Sequence, residues 1–264
     1  NGEWGGTAVE DVCGECGGEA TSEDDCYTDY AIYFNGESDF LESSSTGFSN
    51  IFSGGFKFSI SMWIKYEGDF SSGGQIIDKG YTGNYEYSNP SVFQIFIEPG
   101  GGQISFILYD NQGDFIRKQV NSSILEVGTW TNLVATYNGN GGENGCPGLQ
   151  IYKNGNIQDV YECYNHGHFN GMVTNDEPLH IGARVKQDGS THLEFKGAID
   201  DITILNYELS SQQIATDYIN NFNNYTNYIV AKWVFNTGLG NTIYDISGNE
   251  RNLGIYGATW VERD

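Results

Sequence analysis

From Tyr30 onward the chain alternates short apolar stretches with breaks rich in glycine and asparagine. "YAIYF", "FKFSISMWIKY", "GQIIDKG", "SVFQIFIE", "QISFILYD", "FIRKQV", "WTNLVATY", "LQIYKNG", "NIQDVYECY", "PLHIGAR" and "LEFKGAIDDITIL" are apolar or alternating runs bounded by turn residues. Successive side chains of a strand point to opposite faces, so runs of this length and pattern predict β-strands. Two more come late, "IVAKWVFN" and "GATWVE". One segment predicts a helix instead. "LSSQQIATDYINN", around residues 209–220, sets Ser210 and Gln213 at the spacing of a capping box, with Leu209, Ile214 and Ile219 as its candidate buried face. The pattern predicts an all-β, two-sheet antiparallel sandwich with one short helix. No period of 20–50 residues recurs, which argues against a solenoid or propeller.

Asn154-Gly155 lies inside "CPGLQIYKNGNIQDVYEC". Asn-Gly between alternating apolar residues is a strong hairpin signal, because a type I′ turn needs positive φ at both positions. A turn there sets Cys146 opposite Cys163 as a non-hydrogen-bonded pair with Cα atoms about 4.5 Å apart, within reach of a disulfide. Pro147 interrupts the neighbouring pair, so the hairpin frays or lies at an edge. The predicted disulfide implies an oxidising, extracellular location.

Residues 1–28 have no strand periodicity. They are acidic and glycine-rich, with Cys13, Cys16 and Cys26 in a C-x-x-C-x₉-C arrangement. Three cysteines without a nearby histidine are a poor zinc set, and a redox C-x-x-C lacks its strand–helix setting. "CGECGG" resembles the Cys- and Gly-rich linker repeats that join modules in secreted multidomain proteins, which implies a linker, 1–28, before one domain, 29–264. It opens at Asn1, which reads as a processed product or a piece of a larger protein.

Composition narrows the partners. Asp and Glu total 35 against 12 Lys and Arg, a formal charge of −23. Such a surface repels phosphate backbones and anionic lipid, so nucleic acid is not an expected partner. No run approaches the roughly 18 apolar residues of a span, so membrane insertion is not expected either. Two acids fall inside a predicted strand, Asp200 and Asp201 of "FKGAIDDITILN". Strict alternation puts Asp200 with Ala198, Ile202 and Ile204, and Asp201 with Ile199, Thr203 and Leu205. Burying a carboxylate without a partner is costly, so each needs one.

The order of these segments resembles the laminin-G-like branch of the concanavalin A-like lectin/glucanase superfamily. The match covers roughly 30–262. "YAIYFNGESDFLE" is similar to the "FDGxDDYV" entry, with Asn35 where the family often has Asp. "FSISMWIKYEG" resembles "FTISAWVK", and "WTNLVATYNG…LQIYKNG" resembles "WxHVAxTYDG…LYVNG". "PLHIGAR" and "FKGAIDDITILNYELSSQQI" are similar to the late "LxIGA" and "FxGxIDDVRIYNRALSxxEI" segments. The segment "AKWVFNTGLGNTIYDISGNERNLGIYGATW" resembles one that normally opens such a domain, yet here it comes last. The expectation is that 229–262 docks back as closing strands.

The resemblance implies a concanavalin A-like jelly roll and a structural calcium where the aspartate of the late "IDDV" strand meets the early chain. Asp200 takes that position. Asn35, Glu37 and Asp39, with Asp245 and Asn249, are candidate co-ligands, since calcium accepts varied oxygen donors. The competing reading is that Asp200 caps backbone amides or pairs with Lys196 or Arg184.

Catalysis is not expected. Glycoside hydrolysis needs two flanking carboxylates, and the E-x-D-x-x-E strand of the superfamily's glucanases is missing. Neither G-x-S-x-G nor H-E-x-x-H occurs. Two loops combine rings with amides as sugar sites do. The first holds Tyr81, Asn84, Tyr85, Tyr87 and Asn89, and the second Tyr161, Tyr164, Asn165, His166, His168 and Phe169. Each also reads as a loop packed by its own rings. Two expectations follow: a calcium-binding, carbohydrate-binding or adhesive module of a larger secreted or cell-surface protein, with glycan and the other modules of the same polypeptide as partners, or a protein–protein interaction module without a glycan.

Overall fold

In the computed structural model, which describes residues 28–44, 47–48, 51–52, 55–80, 91–121, 124–141 and 145–264, the patterned runs pair into two antiparallel sheets. The predicted linker, apart from Thr28, and Tyr81, Asn84, Tyr85, Tyr87 and Asn89 lie outside the described residues. The first strands are β1 (Tyr30–Asn35), β2 (Phe40–Ser43), β3 (Phe58–Tyr66), β4 (Gly74–Lys79), β5 (Phe93–Ile97), β6 (Ile104–Tyr109) and β7 (Phe115–Val120). Next come β8 (Trp130–Tyr137), β9 (Leu149–Lys153), β10 (Asn156–Ile157), β11 (Val160–His166), β12 (Leu179–Ile181), β13 (Arg184–Val185) and β14 (Thr191–His192). The last are β15 (Lys196–Leu205), β16 (Ile229–Trp233), β17 (Thr242–Ile243), β18 (Leu253–Tyr256) and β19 (Thr259–Glu262).

One sheet has eight strands in the order β10-β9-β8-β3-β15-β1-β19, with β16 also on β15; the other has nine, β11-β7-β6-β5-β4-β12-β2-β18-β17. Between them lies one apolar core, from Phe34, Phe58, Ile60 and Ile64 on the first sheet to Phe93, Phe106, Leu108 and Ile181 on the second. Every sheet partner of β1 comes from late in the chain, β15 on one side and β19 on the other. The late segment also supplies β18, which pairs with β2.

The helix α1 (Ser211–Asp217) starts as its sequence predicts: Ser210 Oγ accepts from Gln213 N, and Gln213 Oε1 accepts from Ser210 N. Leu209 and Ile214 are buried in a satellite cluster with Val134, Tyr152, Leu205 and Phe222 on the outside of the eight-stranded sheet. Ile219 is not part of that face. The helix has ended by then, and Ile219 is 66% exposed.

The Asn154-Gly155 turn joins β9 to β10 in the register the sequence implies, Lys153 to Asn156. The strand then leaves. β11 crosses to the edge of the other sheet and pairs with β7, so Cys163 lies opposite Lys118 and not opposite Cys146. The Cys146–Cys163 disulfide, with Cα atoms 5.8 Å apart, thus ties an edge of one sheet to an edge of the other.

Strict alternation also fails at Asp200. Between Asp200 opposite Trp63 and Thr203 opposite Ser61, β15 carries one extra residue, and Asp201 adopts φ +50°. This β-bulge sits where the flank of β15 passes from β1 to β16. Ile199 and Ile202 both reach the core. Asp200 and Asp201 consequently turn to the same side.

Candidate functional site

Residues opposite each other on neighbouring strands share a face. Followed across the nine-stranded sheet, the register gives a row Glu42–His180–Asp78–Gln94–Ile107–Arg117–Tyr164. At roughly 4.8 Å per strand this row is about 29 Å long. It lies on the face turned away from the core, because the alternating partners Ile77, Phe93, Ile95, Leu108 and Ile116 fill the core. Parallel rows are Gln75–Phe96–Ser105–Gln119–Glu162 and Tyr109–Phe115–His166.

The middle of this face is a polar network. Gln94 Oε1 accepts from Arg184 Nη2 at 2.6 Å and from Tyr109 OH at 3.1 Å, while Gln94 Nε2 reaches Ser91 Oγ at 3.0 Å and Asp78 Oδ2 at 3.4 Å. The Arg184 guanidinium lies 5.5 Å from the centre of the Phe96 ring. Glu98 Oε1 accepts from Ser105 Oγ at 2.5 Å and Gln119 Nε2 at 2.6 Å, and Arg117 bridges Glu98 and Glu162. His180 Nε2 lies 3.0 Å from Glu42 Oε2.

Several polar atoms here have no partner. Among the described residues, Gln75 Oε1, Asp78 Oδ1, Arg117 Nε, Arg184 Nε and His192 Nδ1 are buried and make no hydrogen bond; only Asn132 Oδ1 and Tyr137 OH join them elsewhere. Unpaired buried polar groups are rare and each calls for an explanation. Burial raises the Asp78 carboxyl above its ordinary range in spite of Arg184, Ser91, His180 and Gln94. Burial also pushes Tyr109 up to about 12 and, with Arg184 and Lys186, holds His192 low. Perturbed groups gathered on one face mark a functional-site candidate.

At the β11 edge the face becomes aromatic. Phe115 stacks on His166 with ring centres 5.0 Å apart and contacts Tyr164 at 5.8 Å and Tyr109 at 5.6 Å, while Arg117 lies over Tyr164. Tyr164 is 41% exposed.

Of the residues the sequence assigned to a ligand, Tyr164 and His166 belong to this shelf. Asn165 does not. It is on the opposite face of β11, where Oδ1 accepts from Cys146 N at 3.1 Å. Phe169 is a core side chain, 1% exposed, so apolar neighbours claim its ring. His168 is an exposed loop residue whose N–H donates to Asp114 Oδ2. Asp78, Gln94, Arg117 and Arg184 were missed. "GQIIDKG" does carry a signal, an acid inside an apolar strand, of the kind that singled out Asp200.

The six predicted calcium ligands fall in three places. Asn35, Glu37 and Asp39 form a closed turn, in which Asp39 Oδ2 accepts from Asn35 N and Asn35 Oδ1 from Glu37 N. Asn35 pairs with Lys196, four residues along β15 from Asp200, or about 13 Å. Asp245 is saturated by Lys232 N, Ser247 N, Ser247 Oγ and Arg251 N, matching the roughly four acceptor sites of a carboxylate. Asn249 Nδ2 donates to Val230 O. These residues do not fit one calcium site. Opposite Asp200 stands neither Lys196 nor Arg184 but Arg263, whose Nη1 lies 2.6 Å from Asp200 Oδ2 and 3.3 Å from Asp201 Oδ2 and Asp29 Oδ2.

The chain is similar in fold to a candidate carbohydrate-binding protein from Bacteroides ovatus ATCC 8483, at 15% identity and a TM-score of 0.61; the alignment covers 90% of this chain and 61% of that one. The CBM40 of the Ruminococcus gnavus IT-sialidase aligns at 12% identity and TM-score 0.51, over 70% of this chain and 94% of that one. The NanB sialidase of Streptococcus pneumoniae, as its K499G mutant, aligns at 18% and 0.51, over 72% of this chain but 27% of the enzyme. No curated protein matches the chain. The Laminin_G_3 model matches residues 35–215. With both sheets in place and that match covering more than half its length, the chain belongs to the concanavalin A-like lectin/glucanases superfamily.

Proposed function

We propose that this domain is a non-catalytic carbohydrate-binding module of an extracellular protein, and that sugar lies on the outer face of its nine-stranded sheet. The observation that carries this reading is the aromatic shelf at the β11 edge of this face, where Tyr164 is exposed beside Phe115 and His166 and Arg117 lies over its ring. Sugar hydroxyls both donate and accept, so they can pair with the charged side chains that reach solvent along this edge, Arg117 and Glu162. Beside these side chains the Tyr164, Phe115 and His166 rings form a platform for the C–H face of a pyranose. Sites that bind small molecules combine such a shelf with a few placed polar groups.

Binding is favoured over hydrolysis by the state of the acids. Asp78 has no exposed surface, and Glu98 is tied to Ser105, Gln119 and Arg117. Neither is poised at a scissile bond. The fold neighbours support a lectin-like role, since one is a sialidase CBM40 and another a candidate carbohydrate-binding protein. Extracellular location is supported by the disulfide, and no helix among the described residues is long and apolar enough to cross a membrane.

A glycan array probed with wild type, Tyr164→Ala and Arg117→Gln tests the reading, with millimolar calcium and again with EDTA. Selective binding by wild type that both variants weaken is expected. A folded wild type that binds nothing on a broad array, or variants that bind as well as it does, would reject the site and favour a protein partner.

A further inference from the structure

The surroundings of Arg263 lie on the other sheet and play no part in the sugar reading. One nitrogen of this guanidinium, Nη1, is within 3.3 Å of three carboxylates, those of Asp29, Asp200 and Asp201. Its Cζ is 5.1 Å from the centre of the Trp63 ring and 4.8 Å from that of Trp130. The backbone fixes its place: Arg263 N donates to Asp29 O at 2.9 Å, and the next residue, Asp264, is held by Lys65 Nζ and Trp130 Nε1. The acids are positioned as firmly. Asp200 Oδ1 accepts from Asp201 N at 2.7 Å, and Asn221 Nδ2 donates to Asp201 Oδ2 at 2.7 Å.

We propose that Asp29, Asp200, Asp201, Trp63 and Trp130 form a guanidinium-binding cage whose resident cation is the chain's own Arg263. Arg263 does at Asp200 what the family resemblance assigns to calcium. The walls decide which cation fits. Calcium takes six to eight oxygen ligands, whereas two sides of this cage are indole faces without a lone pair to give. A guanidinium is planar, weakly hydrated and attracted to ring faces, so it uses both the rings and the carboxylates. The need for a cation is built in. The bulge at Asp201 turns both acids to one side, and burial, followed by the charge of Asp201, raises the Asp200 carboxyl against the pull of Arg263.

The test is thermal unfolding of the whole chain with chemical rescue. Wild type should melt at one temperature in EDTA and in millimolar calcium. Arg263→Ala should melt lower by roughly 10 °C. Millimolar N-ethylguanidinium should restore part of that loss, while calcium or ethylammonium at equal concentration should not. Rescue by calcium in place of the guanidinium would overturn the proposal, as would an Arg263→Ala protein that melts like wild type. Should Arg263→Ala fail to fold, Arg263→Lys carries the question. It keeps the charge without the planar fork and should fold but melt below wild type. A lysine variant as stable as wild type would show that any cation suffices.

Discussion

Asp78 and Asp200 are each 0% exposed, yet they sit in opposite circumstances on the two sheets. Asp200 spends both oxygens inside the protein, one on the Asp201 amide and one on Arg263. Asp78 has one oxygen near the Gln94 amide and the other without a partner. A buried acid closed off by an internal cation secures the fold. A buried acid with an open valence, set among arginines and rings, is left unsatisfied beneath the face proposed for sugar. The two can be separated by what their removal does.

The largest expected effect is at the closed site. Arg263→Ala leaves two buried carboxylates without their cation, and breaking such pairs costs about 3–5 kcal/mol. Urea unfolding should show that loss with little change in sugar affinity. If affinity falls as much as stability, the two sheets are coupled and the division above is wrong. Cys163→Ser comes next. It opens a loop closed by the Cys146–Cys163 bond, for an expected loss of about 3 kcal/mol. Because Cys163 adjoins Tyr164 on β11, this variant should weaken sugar binding as well, a double effect that the Arg263 variant lacks.

At the open site the order reverses. Tyr164→Ala and Arg117→Gln should reduce glycan affinity by about 5- to 30-fold, the range of truncated binding residues, as read by calorimetry. Their melting temperatures should stay within about 2 °C of wild type, as expected for exposed or half-exposed positions. The smallest effect is the pH dependence of Asp78. Its folded carboxyl is raised, so the native state keeps a proton that the unfolded chain releases near pH 4. Stability therefore falls as pH rises from there to the folded value. Asp78→Asn should flatten that slope in melting curves recorded across the range. An equally steep slope in the variant would assign the pH dependence to other groups.

The strands were legible because each carries its own period-two pattern, and α1 because Ser210 and Gln213 are local signals. The chemistry of Asp200 was half legible. An acid between isoleucines announces that it needs a partner, but Arg263 is a remote residue that only the β1–β19 pairing brings near. The faces were misread because alternation presumes an unbroken ladder, and a bulge shows no mark in "GAIDDITI". The same happened at Asp78. It follows a register shift between Gln75 and Ile77 in β4, so Ile76 and Ile77 both enter the core and the strand looks uniformly apolar. The Cys146–Cys163 pairing was readable from spacing, although the extended hairpin assumed for it does not form beyond β10. Asn165 and Phe169 looked like ligand residues because a ring or amide in a loop does not declare which way it faces.

The order in which the strands are made has a kinetic consequence. Among the described strands, β1 has β15 and β19 as its neighbours, so it waits for two strands made much later in the chain. Closing loops of that length comes late and slows folding. Meanwhile β5, β6 and β7, each paired with its neighbour in sequence, can form a seed. Asp200 and Asp201 are synthesised well before Arg263, and until it arrives their burial is opposed by their own charge. Burying that pair in the eight-stranded sheet is therefore opposed until the β1–β19 pairing brings Arg263 into place.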